Sequence, residues 1–462
     1  MTLKRFALAI ALIVTGVTAM GQDYPDPTIL KDGNDYYMTH STFVYHPGLL
    51  IWHSTDLQNW EPVCRACPEF EGSGYAPDII KHDGRYFIYY PALNTNFVIW
   101  ADDIKGPWSK PIDLKVGGID PGHIVGEDGC RYLFLSNGNS PLVRVKLSDD
   151  GLSVVSEPEV AYEGWQFPSD WETEGFWLES PKLMKHGDWY YMTTAEGGTA
   201  GPATSHMVVS ARSKSIFGPW ENSPYNPIVH TYSADEPWWS KGHGTPFEGP
   251  DGQWMMVYHA YPNGFHTLGR VSLLEPVEWT EDGWFKSADP EDITPLFSDM
   301  DIDDSFKGGR FGWQWAGWKL SEKSPLGGMN LFLATAQDRS YTAEVNVRIR
   351  KDKKAGMMLF YDEHAYAGAV ADKDNITIWN NASDGCTVKN SFGRNFRIRI
   401  TNDCNKLEIA VRRRLFGKWT VIASDIDVSN MHHNTYAGFY ALRIGLISDE
   451  AFPEAFKKFS YR

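Results

Sequence analysis

Three acidic side chains stand at the same point of a repeated sequence pattern. Asp26 and Asp120 each directly precede a proline, and Glu179 lies one residue before Ser180-Pro181. The residue before a proline is disfavoured in the helical region, so we expect an extended backbone that fixes where each side chain points. A single Asp-Pro would most simply bond its own backbone in a turn. Three carboxyl groups at equivalent positions instead indicate a shared pocket.

A pocket of this kind suits a reaction that needs one ionised and one protonated carboxyl group. Glycoside hydrolysis is such a reaction, because one carboxylate acts as base or nucleophile while a carboxylic acid protonates the leaving oxygen. A third carboxylate nearby can tune the pKa of the acid. A fourth acid, Asp78, follows Pro77. Both a contact with the substrate and a solvated position remain open for it.

The pattern that carries these acids occurs five times. Each copy has a residue before proline, a hydrophobic pair, a Gly-containing turn and an aromatic strand, which is a hairpin in sequence terms. The prolines lie 44 to 65 residues apart and are Pro27, Pro77, Pro121, Pro181 and Pro246. About four strands per unit predict a five-bladed β-propeller rather than a β-sandwich with chance similarity. The first strand of each blade then lines the central channel, so the acids converge at one mouth.

Length and composition agree with an all-β protein of two domains. The chain has 462 residues, more than one hydrophobic core usually organises. Aromatic residues make up 14% of it, and 42 glycines supply turns, which suits many short strands. The net charge of −16 disfavours nucleic acid and anionic membranes as partners and suits a neutral ligand such as a saccharide.

The N-terminus has the features of a secretory signal. Lys4 and Arg5 precede an apolar run from Phe6 to Val17 that is too short to span a membrane. Small residues near position 21 suit cleavage, so residues 1–21 are predicted to be removed and the protein exported to a periplasm or beyond. No cysteine follows the run, so a lipid anchor is not indicated.

The rest of the chain divides at a polar segment. Residues 22–285 hold the propeller, and the proline-containing residues 286–304 are predicted to be a linker. Residues 305–462 show alternation typical of sheets with one buried face, and we expect a C-terminal β-sandwich there. The alternating apolar residues are Val345, Val347, Ile349, Phe396, Ile398 and Ile400.

The five cysteines do not indicate redox or metal chemistry. Cys64 and Cys67 form a C-x-x-C, but no second pair stands at metal-binding spacing. In an exported protein a structural or incidental role is favoured. Cys386 and Cys404 are left open as a pair, because only coordinates can decide.

Residues 23–285 resemble glycoside hydrolase family 43. The motifs that carry the resemblance are "DYPDPTIL", "GGIDPGHIV", "LESPKLMKHGDWYYMTTAEGGT" and "GHGTPFEGPDGQWMMVYHAY". The resemblance implies that Asp26 is the general base, Asp120 the pKa modulator and Glu179 the general acid of an inverting glycosidase. The family's acid is commonly followed by Gly-Pro, whereas Ser180-Pro181 follows Glu179, and this departure is expected to affect the rate of the reaction and not the role of the acid.

The same resemblance suggests further contacts in the pocket. Arg270 resembles the Arg that bonds sugar hydroxyls and the modulator, and Phe43 the Phe that packs on the terminal sugar. His243 resembles a channel His that in many members helps to hold a metal ion, often calcium, or contacts the substrate through water. A structural role is the alternative for each, and calcium prefers oxygen ligands, so the reaction is expected to need no cofactor. Three tryptophans before the acid either wall the pocket or pack within blades: Trp165, Trp171 and Trp177.

The resemblance is strongest to the β-xylosidase and α-L-arabinofuranosidase branch. It implies an exo-enzyme that removes one terminal pentose from plant-type polysaccharides or oligosaccharides. Galactose or galactofuranose ends and a non-catalytic carbohydrate-binding propeller are the alternatives. An endo-arabinanase is disfavoured by the second domain. Retaining fructan-cleaving propellers need an Arg before the second Asp-Pro, where this chain has Ile119.

Overall fold

The computed structural model describes residues 20–69, 72–297, 302–307, 312–382, 385–414 and 417–462. Within these ranges strands dominate, and the one α-helix is the four-residue α1 (His433–Tyr436). Two single 3₁₀ turns occur at Pro250–Gly252 and His266–Leu268. No helix in the described ranges has the length and apolarity that crossing a membrane requires. Residues 1–19 of the predicted signal segment lie outside the described residues.

The first three repeat copies each form a four-stranded antiparallel meander. The first blade is β1 (Thr28–Asp32), β2 (Asp35–Thr39), β3 (Gly48–Ser54) and β4 (Glu61–Cys67). The second is β5 (Asp78–His82), β6 (Arg85–Ala92), β7 (Thr95–Ala101) and β8 (Ile112–Asp113). The third is β9 (Ile119–Val125), β10 (Arg131–Asn137), β11 (Ser140–Lys146) and β12 (Glu159–Tyr162).

The last two blades each gain a short fifth strand. The fourth is β13 (Glu179–His186), β14 (Trp189–Glu196), β15 (Met207–Ser213) and β16 (Glu221–Asn222), with β17 (Val229–His230) also paired to β15. The fifth is β18 (Trp238–Glu248), β19 (Trp254–Pro262), β20 (Val271–Trp279) and β21 (Phe285–Ser287), with β22 (Thr294–Pro295) paired to β20. The first strands of the blades contact one another in a closed ring, β1 to β5, β9, β13, β18 and back to β1. The predicted five-bladed propeller is confirmed.

The Gly-containing turns of the repeat act as hairpin turns. Asp83 and Gly84 join β5 to β6 with φ values of 48° and 78°. A type I′ turn needs positive φ at both central residues, and its twist matches that of the flanking strands. The sequence Asp-Gly therefore sets the register in which His82 opposes Arg85.

The expectation of an extended backbone before each proline is wrong in four copies. Asp26, Ala76, Asp120 and Ser180 have φ values of 55°, 37°, 53° and 57°. The pairing of β9 and of β13 with the next strand is irregular at this point, and a bulge re-aims a side chain. Ala76 and Ser180 share the conformation without a carboxyl group, so the propeller imposes it rather than the chemistry. Such positive φ is costly for residues other than glycine and is held by the surrounding structure.

The C-terminal region is the predicted β-sandwich. One sheet has the order β23 (Ile302–Asp304), β35 (Phe456–Tyr461), β26 (Ser340–Arg348), β31 (Asn395–Asp403), β32 (Lys406–Arg413) and β33 (Thr420–Asp427). The other has the order β24 (Ala316–Trp318), β25 (Asn330–Ala334), β34 (Arg443–Ser448), β27 (Ala355–Asp362), β28 (Ala365–Ala371), β29 (Asn375–Asn380) and β30 (Gly385–Lys389). The alternating residues that predicted it are buried, and Val345 opposes Ile398 across β26 and β31.

The structure corrects the predicted linker and answers the question of the cysteine pair. The segment 286–304 is not a free linker, because β21 runs to Ser287, β22 joins the fifth blade and β23 already belongs to the sandwich. Phe297 packs against Tyr24 and Trp52 of the propeller. All five cysteines lie in the described residues and none is in a disulfide, so Cys386 and Cys404, which the sequence left open as a pair, are not bonded to each other.

The two domains share a buried interface. Arg443, at the start of β34, donates from Nη2 to Asp23 Oδ2 over 3.0 Å, and its guanidinium lies 3.6 Å from the centre of the Tyr45 ring. The Leu442 N–H donates to the Thr267 carbonyl, and the Thr267 hydroxyl donates to Asn405 Oδ1. Buried polar groups of both domains are thus satisfied across the interface, which fixes the sandwich against the propeller.

Replacing Arg443 with Met should destabilise the protein strongly. The Arg443 and Asp23 side chains are 8% and 1% exposed, so the change leaves a buried carboxyl group without its cation. We expect a loss of about 3 kcal/mol or more in the free energy of unfolding, measured by denaturant titration. The loss should be larger at pH 8 than at pH 5, because an unpaired Asp23 can take up a proton at low pH. Lys406→Met, at an ion pair with Asp427 whose side chains are 56% and 52% exposed, should cost less than about 1 kcal/mol, and equal losses would contradict the prediction.

Candidate functional site

A cavity of about 450 Å³ opens at the mouth of the propeller channel. All five blades and the sandwich contribute to its lining. Six of the seven predicted site residues line it: Asp26, Phe43, Asp120, Glu179, His243 and Arg270. The seventh, Asp78, does not. Asp26, Asp120 and Glu179 come from the starts of inner strands, where the repeat predicts that side chains converge, and His243 lies within the inner strand β18.

Asp26 lies on the cavity floor and is held by a dense set of partners. Arg270 donates to it from Nη1 to Oδ1 at 2.9 Å and from Nη2 to Oδ2 at 3.4 Å. The Ser41 hydroxyl donates to Oδ2. His259 Nδ1 lies 3.1 Å from the Asp26 backbone nitrogen and 3.2 Å from Asp26 Oδ1, and its Nε2 lies 3.3 Å from the Thr199 hydroxyl oxygen. These contacts fix the carboxylate in one orientation.

The Asp26 carboxyl is ionised although it is buried. Burial by itself would raise its pKa, but the Arg270 guanidinium beside it reverses that effect and holds the pKa well below the ordinary value. His259 and His243 are neutral near pH 7, because burial lowers the pKa of His259 to about 4 and that of His243 well below its usual range. Arg270 is therefore the cation that keeps Asp26 charged.

The pKa values of Asp120 and Glu179 are shifted in the opposite direction, upwards. Burial, followed by the negative charge of Asp26, raises the pKa of Asp120 to about 7, against the lowering effect of Lys182. Burial and the charges of Asp120 and Asp26 raise the pKa of Glu179 well above its ordinary value. Glu179 is therefore protonated at the pH at which Asp26 is ionised. Like charges that share one site push their protonation apart in this way.

Three histidines surround the carboxyl groups. His243 Nδ1 lies 3.5 Å from Asp26 Oδ1 and 3.8 Å from Asp120 Oδ2. His206 Nε2 lies 3.8 Å from Glu179 Oε1. Burial also lowers the pKa of His206 well below the ordinary value. The neutral rings add no positive charge, so the floor carries fewer cations than carboxyl groups.

Asp78 is neither in the cavity nor solvated. Its Oδ1 accepts from Lys182 Nζ at 3.2 Å and from the Thr28 hydroxyl at 3.3 Å, while Oδ2 accepts from the His123 N–H at 2.8 Å. The Asp78 side chain is 9% exposed and that of Lys182 3%. These bonds join inner strands of four blades beneath the cavity. The position supports a structural role for Asp78 in place of the predicted substrate contact.

One group of described residues has the spacing of metal ligands. Ligand atoms of Asp26, His243 and His259 lie within 4.8 Å of one another, and His243 Nε2 has no hydrogen-bond partner among the described residues. Two imidazoles and one carboxylate do not fit calcium, which takes six to eight oxygen ligands. Arg270 and Ser41 already engage the Asp26 oxygens. The predicted calcium ion at His243 stays a prediction that this donor set does not favour.

Aromatic rings from both domains form one wall of the cavity. Phe43 stacks on Tyr75 with 6.4 Å between ring centres, and Tyr440 of the sandwich meets Phe43 edge-on at 5.8 Å. Phe439, also from the sandwich, lies 4.9 Å from the Arg270 guanidinium. The sandwich therefore closes one side of the cavity.

Sequence reasoning missed several residues of the site. Their only local signal is a polar group inside a run of buried aromatic or small residues, as for His259 in "MMVYHAY". The missed residues are Ser41, Tyr75, Glu174, Thr199, His206, His259, Phe439 and Tyr440. Of the three tryptophans, Trp177 lines the cavity, and Trp171 instead stacks on His230 at 4.6 Å.

Comparisons with known proteins converge on one family. The model described as "Glycosyl hydrolases family 43" matches residues 19–285. The chain is 32% identical over 303 residues to a xylan 1,3-beta-xylosidase of Vibrio sp, an alignment that covers 56% of this chain and 54% of that protein. It is 35% identical over 301 residues to a non-reducing end alpha-L-arabinofuranosidase of Bacteroides ovatus, covering 59% and 52%. The chain spans about half the length of these curated relatives.

Solved structures support the fold over the whole chain. A xylan beta-1,4-xylosidase from Bacillus halodurans superimposes with a TM-score of 0.81 and covers 97% of this chain and 99% of that one. The sequence identity is 22%, so the likeness concerns the fold. Because the superposition extends past residue 285, the propeller and the sandwich are found together in that structure too.

Replacing Asp120 with Asn should stabilise the protein at alkaline pH. A carboxyl group whose pKa is raised on folding favours the folded state at low pH and loses that advantage as pH rises from about 4 through 7. The rise from 3.8 to about 7 corresponds to about 4 kcal/mol. We expect Asp120→Asn to raise the free energy of unfolding by up to about 4 kcal/mol at pH 8 and much less at pH 4, because Asn can still accept the Ser180 N–H.

Denaturant titration at both pH values checks the effect of Asp120→Asn. Asp188→Asn serves as control, since that side chain is 93% exposed. A gain that is the same at pH 4 and pH 8 would show that the stabilisation does not come from the titration of Asp120.

Proposed function

Because the chain belongs to glycosyl hydrolase family 43, we propose that it is an inverting exo-glycoside hydrolase. It removes terminal pentose residues, β-D-xylose or α-L-arabinofuranose, from plant-type polysaccharides or oligosaccharides. The observation that carries the proposal is one cavity that places Asp26 in an ion pair with Arg270 and Glu179 beside His206. In this setting the pKa of the Asp26 carboxyl is lowered and that of the Glu179 carboxyl is raised, which gives a base and an acid. Hydrolysis of a glycoside by direct displacement needs this pair.

Asp26 acts as the general base. Its carboxylate accepts a proton from a water molecule as that water attacks the anomeric carbon on the face opposite the leaving oxygen. Arg270 keeps the carboxylate ionised, and the Ser41 hydroxyl limits its rotation. Activity is lost as pH falls through the low pKa of Asp26, because the base is then protonated.

Glu179 acts as the general acid. It gives its proton to the glycosidic oxygen while the bond to the anomeric carbon breaks, so the alcohol leaves neutral. Burial and the charges of Asp120 and Asp26 keep that proton in place before the reaction. Activity is lost as pH rises through the raised pKa of Glu179, because the acid is then ionised.

The shape of the cavity supports removal of a single terminal sugar. Asp26 and Asp120 at the floor are 5% and 4% exposed, and Phe439 and Tyr440 of the sandwich close one side. A volume of about 450 Å³ suits one or two sugar rings rather than a long chain lying across it. The relatives' names, a xylosidase and a non-reducing end arabinofuranosidase, support pentoses as the sugars.

The proposed place of action is outside the cytoplasm. Support comes from Lys4, Arg5 and the apolar run from Phe6 to Val17, which have the order of charges and apolar residues of a secretory signal. Polysaccharides are too large to enter a cell unprocessed, so an exported glycosidase would meet its substrate there.

A panel of nitrophenyl glycosides tests the activity and names the sugar. The panel holds the β-D-xyloside, α-L-arabinofuranoside, β-D-galactoside and β-D-galactofuranoside, and we expect release from one or both pentosides. Glu179→Gln should lower kcat on a natural oligosaccharide by about a hundredfold or more, because the acid is gone. It should lower kcat less on the nitrophenyl glycoside, whose leaving group needs little protonation.

Glu172→Gln is the matched control for Glu179→Gln, since Glu172 is an exposed acid on the same segment and does not line the cavity. It should keep the activity of the unaltered protein. If none of the panel substrates and pentose oligosaccharides is hydrolysed but calorimetry detects sugar binding, the protein is a carbohydrate-binding propeller and not an enzyme.

Removal of metal ions should leave the activity unchanged. The proposed steps use only carboxyl groups and water, and the donor set around His243 does not fit calcium. We expect kcat and KM for the pentoside to stay within twofold after dialysis against EDTA. A loss that added calcium restores would place a metal ion in the reaction.

A further inference from the structure

The steps of the proposed reaction do not use the carboxyl group of Glu174. Glu174 lines the cavity five residues before Glu179, on the segment between β12 and β13. It is exposed, whereas Asp26 and Asp120 are buried at the floor. Glu174 therefore lies at the mouth, on the side from which the general acid comes.

Glu174 is held in place by the structure around it. Its N–H donates to the Ser205 hydroxyl at 2.8 Å, and its Oε2 accepts the Ala200 N–H at 3.0 Å. A Cβ on Gly198 would lie 2.4 Å from that Oε2, so a larger residue at this position would displace the carboxylate. No described residue donates a hydrogen bond to Oε1. One oxygen is thus fixed by the protein, and the other can accept a bond from a ligand.

Trp177 stands beside Glu174 and is also fixed. Its backbone has a φ of 42°, and its N–H donates to Asn139 Oδ1 at 2.8 Å. A Cβ on Gly198 would lie 2.8 Å from Trp177 Cδ1, so the same glycine gives room to both side chains. Strained backbone that is held by its surroundings is typical of functional sites.

The depth of the cavity decides which part of a substrate meets this pair. The sugar that is cleaved must reach Asp26 at the floor, and the glycosidic oxygen must reach Glu179. The next unit of the chain then lies at the mouth, beside Glu174 and Trp177. An aromatic ring can cover the apolar face of a sugar, and a carboxylate accepts hydrogen bonds from its hydroxyl groups.

We propose that Glu174 and Trp177 form a binding site for the leaving unit and select a saccharide over a leaving group without hydroxyl groups. The inference rests on the proposed function and adds the chemical class of the leaving group to it. Trp177 supplies the stacking surface, and Glu174 Oε1 accepts the hydroxyl groups.

Paired substrates with the same terminal pentose test the proposal. One is a pentose trisaccharide and the other the nitrophenyl pentoside, and the measured quantity is the ratio of their kcat/KM values. A hydrogen bond to a charged group is worth a factor of about ten to a hundred. Glu174→Ala should therefore lower the ratio about tenfold or more, chiefly through KM of the trisaccharide. Glu174→Gln should restore part of it, because an amide oxygen still accepts.

Glu172→Ala is the control and should leave the ratio within twofold. An effect of Glu174 on the acid Glu179 would lower kcat of the trisaccharide more than that of the nitrophenyl pentoside, whereas loss of the binding site raises KM of the trisaccharide, so kcat and KM are compared separately. Equal losses on both substrates would show a merely structural role for Glu174 and overturn the inference, as would an unchanged ratio with Glu174→Ala. Silence of the unaltered protein on both substrates would overturn the proposed function itself.

Discussion

The ion pair between Arg270 and Asp26 is the interaction on which the rest of the site depends. The channel mouth buries three carboxyl groups next to neutral histidines, and burying charge without compensation is costly. Arg270 compensates one of them, and the uncompensated charge appears as the raised pKa of Asp120 and Glu179. A single cation beside Asp26 therefore separates the pKa values of similar side chains, as the proposed base and acid require. The packing of the five blades around the site must offset the free-energy cost of burying these carboxyl groups.

Arg270 also links the site to the C-terminal domain. Its backbone N–H donates to Asp23, the same carboxyl group that Arg443 of the sandwich binds from the other side. Phe439 of the sandwich covers its guanidinium. The second domain thus shapes the cavity and holds the segment that ends in Asp26. This explains why the sandwich belongs to the working unit rather than being an appended module.

Acids of similar type serve different purposes at neighbouring positions. Asp26 and Asp78 each flank the proline that opens an inner strand, yet only Asp26 reaches the cavity, while Asp78 binds Lys182 beneath it. Glu174 and Glu179 lie on one segment, but Glu179 is deep beside the carboxylates and Glu174 stands at the mouth. Depth in the channel, more than residue type, separates the acids proposed for catalysis and recognition from the structural Asp78.

Repeats and alternation are local patterns that can be recognised without coordinates, and they predicted the propeller, the sandwich and the convergence of Asp26, Asp120 and Glu179. The sequence by itself did not determine the positive φ at Asp26 and Asp120, which the ring of inner strands imposes against the local preference before proline. The tertiary structure alone decided that Asp78 is buried away from the cavity and that residues 286–304 join both domains. It also brought His259 and Phe439 to the site from distant segments. Such contacts join residues that are far apart in the chain and depend on how blades and domains pack. No short stretch of sequence encodes which distant residues meet.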